Sequence, residues 1–120
     1  MTQVSIYHNP RCSKSRQTLA LLEENDCQIT IIEYLKTPPS EQTLRHILDL
    51  LKLTPRELMR KKETEYKALN LQDDTLSTAE LIQAMVANPK LIERPIVLTN
   101  QHAAIGRPPE NVLTLLDQDK

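Results

Sequence analysis

The first 34 residues leave this chain few folds to adopt. Apolar and polar residues alternate over 4–7 (Val4, Ser5, Ile6, Tyr7), the period of a half-buried strand. Asn9-Pro10 marks a turn, and Leu19 and Leu22 lie on a helix predicted over 12–24 that closes near Asn25-Asp26. A second β-type run over 28–34 carries Ile29, Ile31 and Ile32. Strand, helix and strand in so short a length predict a parallel, right-handed βαβ unit. Thr37-Pro38-Pro39 then punctuates the chain.

Residues 40–92 read as helical. Ser40 suits an N-cap, and Leu44, Ile47, Leu48 and Leu51 follow at helical spacing. Thr54-Pro55-Arg56-Glu57 combines a capping box with proline at the first helical position. Ser77-Thr78-Ala79-Glu80 is a second capping box, opening a helix through Leu81, Ile82, Met85 and Val86 that stops near Asn88-Pro89. Between them, 63–74 is ambiguous and compatible with a helical turn. Strand signals return over 95–99 and 103–105, joined by Asn100-Gln101 as a tight hairpin turn. Pro108-Pro109-Glu110 then starts a last helix carrying Val112, Leu113, Leu115 and Leu116. The fold class is α/β: a four-stranded mixed sheet flanked by helices, with a helical block between its βαβ and ββα halves. No repeat or linker divides it. Residues 1–120 are read as one domain, its core 1–36 and 93–118 and its helical insertion 40–92.

Cys12 falls where the first helix begins. Helix starts leave backbone N–H groups unpaired and carry partial positive charge, so a thiol there is favoured as its thiolate. An ordinary cysteine titrates near a pKa of about 8.5, and lowering that by ~2 units needs about 2.7 kcal/mol. A helix terminus supplies roughly 0.3–1 kcal/mol, up to ~2 when partly buried. His8, Arg11, Lys14 and Arg16 crowd the same turn and are placed to supply the rest. Ser13 and Ser15 add hydroxyl donors, Ser15 within reach of a bound substrate. Cys12 is read as an activated nucleophile, against the alternative of an inert core thiol. For His8 the choice stays open between orienting or stabilising the thiolate and simply ending a strand. Lys14 and Arg16 either strengthen the positive field or solvate the helix turn.

The two cysteines, Cys12 and Cys27, make neither a disulfide framework nor a metal site, since structural zinc takes four suitably spaced ligands. Cys12-x-x-Ser15 lacks the second sulfur of a Cys-x-x-Cys redox pair. Cys27 lies a helix length away, about 22 Å for 15 residues, and reads as structural. An oxidised Cys12 should therefore need an external thiol. A formal charge of −1 gives no electrostatic case for nucleic acid or acidic membranes. Apolar runs fall short of a membrane span and the start lacks a signal-peptide layout, so the expected location is cytoplasmic. A monomer is the default for such a domain.

The order of elements, with a cysteine at the first helix start and Pro95 before the third strand, resembles the thioredoxin fold. That resemblance implies a cis peptide at Pro95, in a loop facing the cysteine. More narrowly, five segments resemble the glutaredoxin-coupled arsenate reductase family, in its short arsenate-reductase-like branch. They are Tyr7-His8-Asn9-Pro10-Arg11-Cys12, Tyr34-Leu35-Lys36-Thr37-Pro38-Pro39, Leu58-Met59-Arg60-Lys61, Leu91-Ile92-Glu93-Arg94-Pro95-Ile96-Val97 and Ile105-Gly106-Arg107-Pro108-Pro109-Glu110. The resemblance implies Cys12 as nucleophile, His8 as its neighbour lowering the pKa, and Arg60, Arg94 and Arg107 as a basic triad around the oxyanion. Guanidinium forks suit arsenate as they suit phosphate, through paired charge-assisted hydrogen bonds.

The family's chemistry implies reduction of arsenate to arsenite, with glutathione as co-substrate, glutaredoxin as partner, and no bound cofactor. The chain departs from better-known members around the site. Ser13-Lys14 stands where Gly-Thr is common, Arg11 where a small residue is usual, and Gly106 in place of a cysteine. Such changes bear on which anion fits. Two alternatives belong to other classes: a glutathione-dependent thiol oxidoreductase acting on mixed disulfides, and a non-catalytic RNA polymerase-binding regulator of the same fold. The second commonly carries the Cys-x-x-Cys that this chain lacks.

Overall fold

In the computed structural model, which describes residues 2–118, strand β1 (Gln3–Tyr7) sits inside a four-stranded sheet of order β2-β1-β3-β4. It pairs in parallel with β2 (Gln28–Ile32), from Gln3 opposite Gln28 to Tyr7 opposite Ile32, and antiparallel with β3 (Ile96–Leu98). β3 continues antiparallel to β4 (Ala103–Ile105). Helix α1 (Ser13–Glu24) forms the β1-to-β2 crossover, and α6 (Asn111–Gln118) follows β4. The mixed sheet and its βαβ and ββα halves are those read from the sequence.

Two compact units make up the chain: one runs up to Thr37 and resumes from Arg94, the other is Pro38–Glu93. In the first, strand alternation chooses the core. Val4 and Ile6 point to one face, where Val97, Leu22 of α1, and Val112, Leu115 and Leu116 of α6 close over them. Leu19, Cys27, Ile29, Ala104 and Leu113 pack at its edge. α1 ends at Asn25, and Asp26 takes a left-handed φ of 54° before β2.

Some boundaries differ from the reading: α1 starts at Ser13 rather than Cys12, and β3 is Ile96–Leu98 within the predicted 95–99. β2 stops at Ile32 because Lys36 and Thr37 both donate to the Glu33 carbonyl, folding 33–37 into a turn. Ile31, within β2 on the edge of the sheet, stays 51% exposed despite its apolar type. α6 begins at Asn111, since 108–110 form only i to i+3 turn bonds into it. The hairpin turn at Asn100-Gln101 closes tightly: Thr99 N–H donates to the His102 carbonyl, and Thr99 Oγ1 accepts the His102 N–H at 3.1 Å.

The second unit holds α2 (Glu41–Leu51), α3 (Pro55–Leu58), α4 (Thr64–Ala68), α5 (Thr78–Ala87) and a 3-10 turn (Pro89–Leu91). Ser40 caps α2 through Thr43 N–H, and both capping boxes close, Thr54 with Glu57 and Ser77 with Glu80. The ambiguous stretch 63–74 contains α4 and turns whose carbonyls, at Leu71 and Asp73, accept from the Arg56 guanidinium. A bridge between Met59 and Ile92 ties the end of α3 to the last residues of the unit. Thr54→Ala should destabilise the protein by about 1 kcal/mol, the usual loss for an N-cap hydroxyl, read from denaturant unfolding. Among the described residues no helix is long and apolar enough to cross a membrane.

Candidate active site

The turn after β1 is built so that Cys12 takes the N-cap position of a helix. His8 N–H extends the β1–β2 ladder to the Ile32 carbonyl. Asn9 then folds the chain back: its side-chain oxygen accepts the Arg11 N–H at 3.0 Å and its carbonyl accepts the Cys12 N–H at 3.0 Å. Cys12 itself keeps extended dihedrals (φ −95°, ψ 122°), and its carbonyl takes the Arg16 N–H to start α1. Lys14 and Ser15 are thus the second and third helical residues, whose N–H groups face an N-cap side chain. The first turn carries no acidic residue, so the positive end of the helix is left for the sulfur.

Cys12 is 8% exposed. Burial raises its thiol pKa, but the Ser15 N–H, the Arg94 guanidinium and the Lys14 N–H outweigh it, and the thiol lies below its ordinary value. Cys27 goes the other way, raised by burial and by Asp26. Alkylation of Cys12 by iodoacetamide should accordingly show a pH midpoint below the ordinary ~8.5, with Cys27 slower as an internal reference. Arg94→Ala should move that midpoint up, because the thiolate loses a cation.

The two arginines arrive from facing loop segments. The Arg94–Pro95 and Arg107–Pro108 peptides are both cis. Gly106 N–H donates to the Pro95 carbonyl at 2.9 Å, and Arg107 Nε donates to the Arg94 carbonyl at 2.7 Å. That leaves Arg107 Nη2 at 3.6 Å from the Cys12 sulfur. One sulfur, two guanidinium groups and two backbone N–H groups therefore converge. Such a set can both hold an oxyanion and stabilise charge that develops on it.

His8 and Ser15 sit just behind this point. Ser15 is fully buried, and its hydroxyl is occupied: it accepts the Asn9 N–H at 3.1 Å and lies 2.6 Å from His8 Nδ1. Ser15 thus reaches the sulfur by its backbone, and its hydroxyl, read as a substrate contact, is turned inward. His8 meets the loop at that hydroxyl. Its pKa is lowered, chiefly by burial and further by Arg16, against the pull of Glu33. A neutral imidazole suits a positioning part better than a charged one. Arg16 Nη1 holds the Pro10 carbonyl at 2.9 Å.

Arg60 lies in the other unit, where its side chain pairs with Glu63 at 3.2 Å and Glu93 at 3.9 Å. Its N–H donates to the Leu91 carbonyl. Among the described residues no group of three His, Cys, Asp or Glu side chains is placed to hold a metal. The sequence reading overlooked Asn9 as more than a turn marker. An asparagine before proline signals a side-chain-to-backbone turn, and here that turn sets the sulfur.

Comparison with known proteins fits this arrangement. The ArsC family profile matches residues 7–115. The uncharacterized protein YfgD of Escherichia coli (strain K12) is 59% identical over 115 residues, covering 95% of this chain and 97% of its own. The arsenate reductase of Haemophilus influenzae is 50% identical over 114 residues, with 94% and 98% covered. A solved structure of the arsenate reductase from Vibrio cholerae superimposes with a TM-score of 0.91 at 53% identity, covering 94% and 97%. The sheet order, the crossover helix and these matches agree, and the thioredoxin-like chain belongs to the ArsC family.

Proposed function

We propose that this protein reduces arsenate to arsenite with Cys12 as nucleophile, using glutathione and glutaredoxin as external reductants. The observation that carries the reading is the approach of Arg107 Nη2 to the Cys12 sulfur, with Arg94 and the helix N–H groups on the same atom. Relatives named as arsenate reductases, alignable over nearly their whole length, support the choice of oxyanion.

The Cys12 thiolate attacks arsenic, forming an S–As bond as the As–O bond to an arsenate hydroxyl breaks; that hydroxyl takes up a proton from solvent and leaves as water. Arg94 and Arg107 carry the negative charge on the remaining oxygens. A glutathione thiolate then attacks the Cys12 sulfur. The new S–S bond displaces arsenic, which keeps the S–As electron pair and departs as arsenite, reduced from As(V) to As(III). A glutaredoxin thiolate attacks the glutathionyl sulfur and returns Cys12 as thiolate. Ser15 in place of a resolving cysteine supports the need for external thiols. Arg60 is proposed as the triad's third member. Dependence on glutathione suits the reducing cytoplasm.

The test is arsenate-dependent NADPH oxidation in the presence of glutathione, glutaredoxin and glutathione reductase. Turnover should require arsenate and both thiol components. A wild-type protein that reacts with glutathione disulfide at Cys12 but never turns over arsenate would overturn the assignment and leave the mixed-disulfide chemistry.

A further inference from the structure

We infer that Thr18 is a positioning residue, and that its contact with Gly106 sets where the Arg107 guanidinium stands relative to the Cys12 sulfur. The inference rests on Cys12 being the nucleophile proposed above, but its test needs no arsenate.

Thr18 is fully buried in α1, one helical turn beyond the N–H groups that face the sulfur. Its hydroxyl donates to the Lys14 carbonyl at 2.8 Å and lies 3.4 Å from the Gly106 carbonyl. The first bond alone is an ordinary threonine-to-backbone contact within a helix. The second joins the helix that bears Cys12 to the segment that bears Arg107. Gly106 shows why that segment comes so close. Its φ is not positive, so the backbone conformation does not call for glycine. A Cβ there would overlap Thr18 Oγ1 and stand 2.8 Å from Pro95 Cγ and 3.0 Å from Thr18 Cγ2. The space of a side chain at 106 is filled by Thr18 and the cis proline.

The consequence runs through the next residue. Gly106 N–H is held by the Pro95 carbonyl, Arg107 Nε by the Arg94 carbonyl, and the remaining fork of Arg107 reaches Cys12. Thr18 and Cys12 share one rigid helix start, so pressing Gly106 against Thr18 fixes the Arg107-to-sulfur distance from the helix side. Widening the contact at 106 carries the guanidinium away.

The readout is the ratio of Cys12 alkylation rates with iodoacetate and iodoacetamide, quantified on the Cys12 peptide by mass spectrometry. A cation beside the sulfur favours the anionic reagent, whereas thiol pKa and general loosening affect both alike. Thr18→Val should lower the ratio by up to about five-fold, the weight of an exposed ion pair. Thr18→Ser, which keeps the donor, should largely restore it. In an Arg107→Ala background Thr18→Val should change nothing further. An unchanged ratio in folded Thr18→Val, or an equal drop with Arg107 absent, overturns the inference. Should Thr18→Val fail to fold, Gly106→Ala opens the same contact from the other side, and an unchanged ratio in that folded variant overturns it equally. Absence of arsenate turnover leaves the ratio intact, and an unchanged ratio with turnover intact refutes the positioning role alone.

Discussion

Cys12→Ser should lose arsenate turnover by on the order of 10³-fold or more while holding its stability. The two halves of this expectation come from one residue. At neutral pH the site offers a sulfur biased toward its anion by the Ser15 and Lys14 N–H groups and Arg94. A hydroxyl in the same place stays protonated and is a far weaker nucleophile, and no neighbouring base is positioned on it, since His8 is committed to Ser15. The fold has no such dependence. The Cys12 N–H bond to Asn9 and the bond from Arg16 to its carbonyl use backbone atoms and survive the change. Serine is moreover a preferred N-cap, so α1 should be capped at least as well. The assay is the coupled NADPH oxidation, beside a urea unfolding curve. Lost turnover with an unchanged or raised midpoint separates chemistry from structure; retained turnover would remove Cys12 from the mechanism.

Arg94→Ala should lower kcat/KM for arsenate by about 10²–10³-fold, the effect of deleting one preplaced oxyanion donor. Two losses add here. The oxyanion loses a charged fork, and the thiolate loses a cation that keeps its pKa down. They separate by pH. As pH rises through the raised Cys12 pKa, the variant regains thiolate and its deficit narrows, but the part due to the missing donor persists. The backbone carbonyl of Arg94 still accepts Arg107 Nε, so Arg107 keeps its anchor in this variant. A deficit that closes completely at high pH would assign Arg94 to thiolate stabilisation alone.

Much of the fold was legible because its signals are local. Ser40, Thr54 and Ser77 cap helices through atoms within three residues, and such patterns survive in any tertiary setting. Alternation at Val4 and Ile6 named the buried sheet face for the same reason. β2 was read two residues too long because Ile31, Ile32 and Tyr34 look like a continuing strand. The turn that ends it depends on carbonyl bonding at Glu33, which apolar pattern does not report.

The sequence by itself determined where the thiol stands: Asn9-Pro10 followed by Cys12 at a helix start places it against the first N–H groups of α1 by local geometry alone. It also determined the order of strands and helices. Only the tertiary structure decided what each polar side chain does there. Ser15 reads as a substrate hydroxyl in the chain, yet the fold turns it inward to His8 and leaves its N–H for the sulfur. Arg107, 95 residues from Cys12, comes within 3.6 Å of it because two loop segments bond edge to edge. Gly106, the chain's only glycine, owes its identity to Thr18 and Pro95 across the fold. The reason is physical: capping and alternation act over a few residues, whereas hydrogen-bond partners and steric fit between distant segments exist only once the chain has folded.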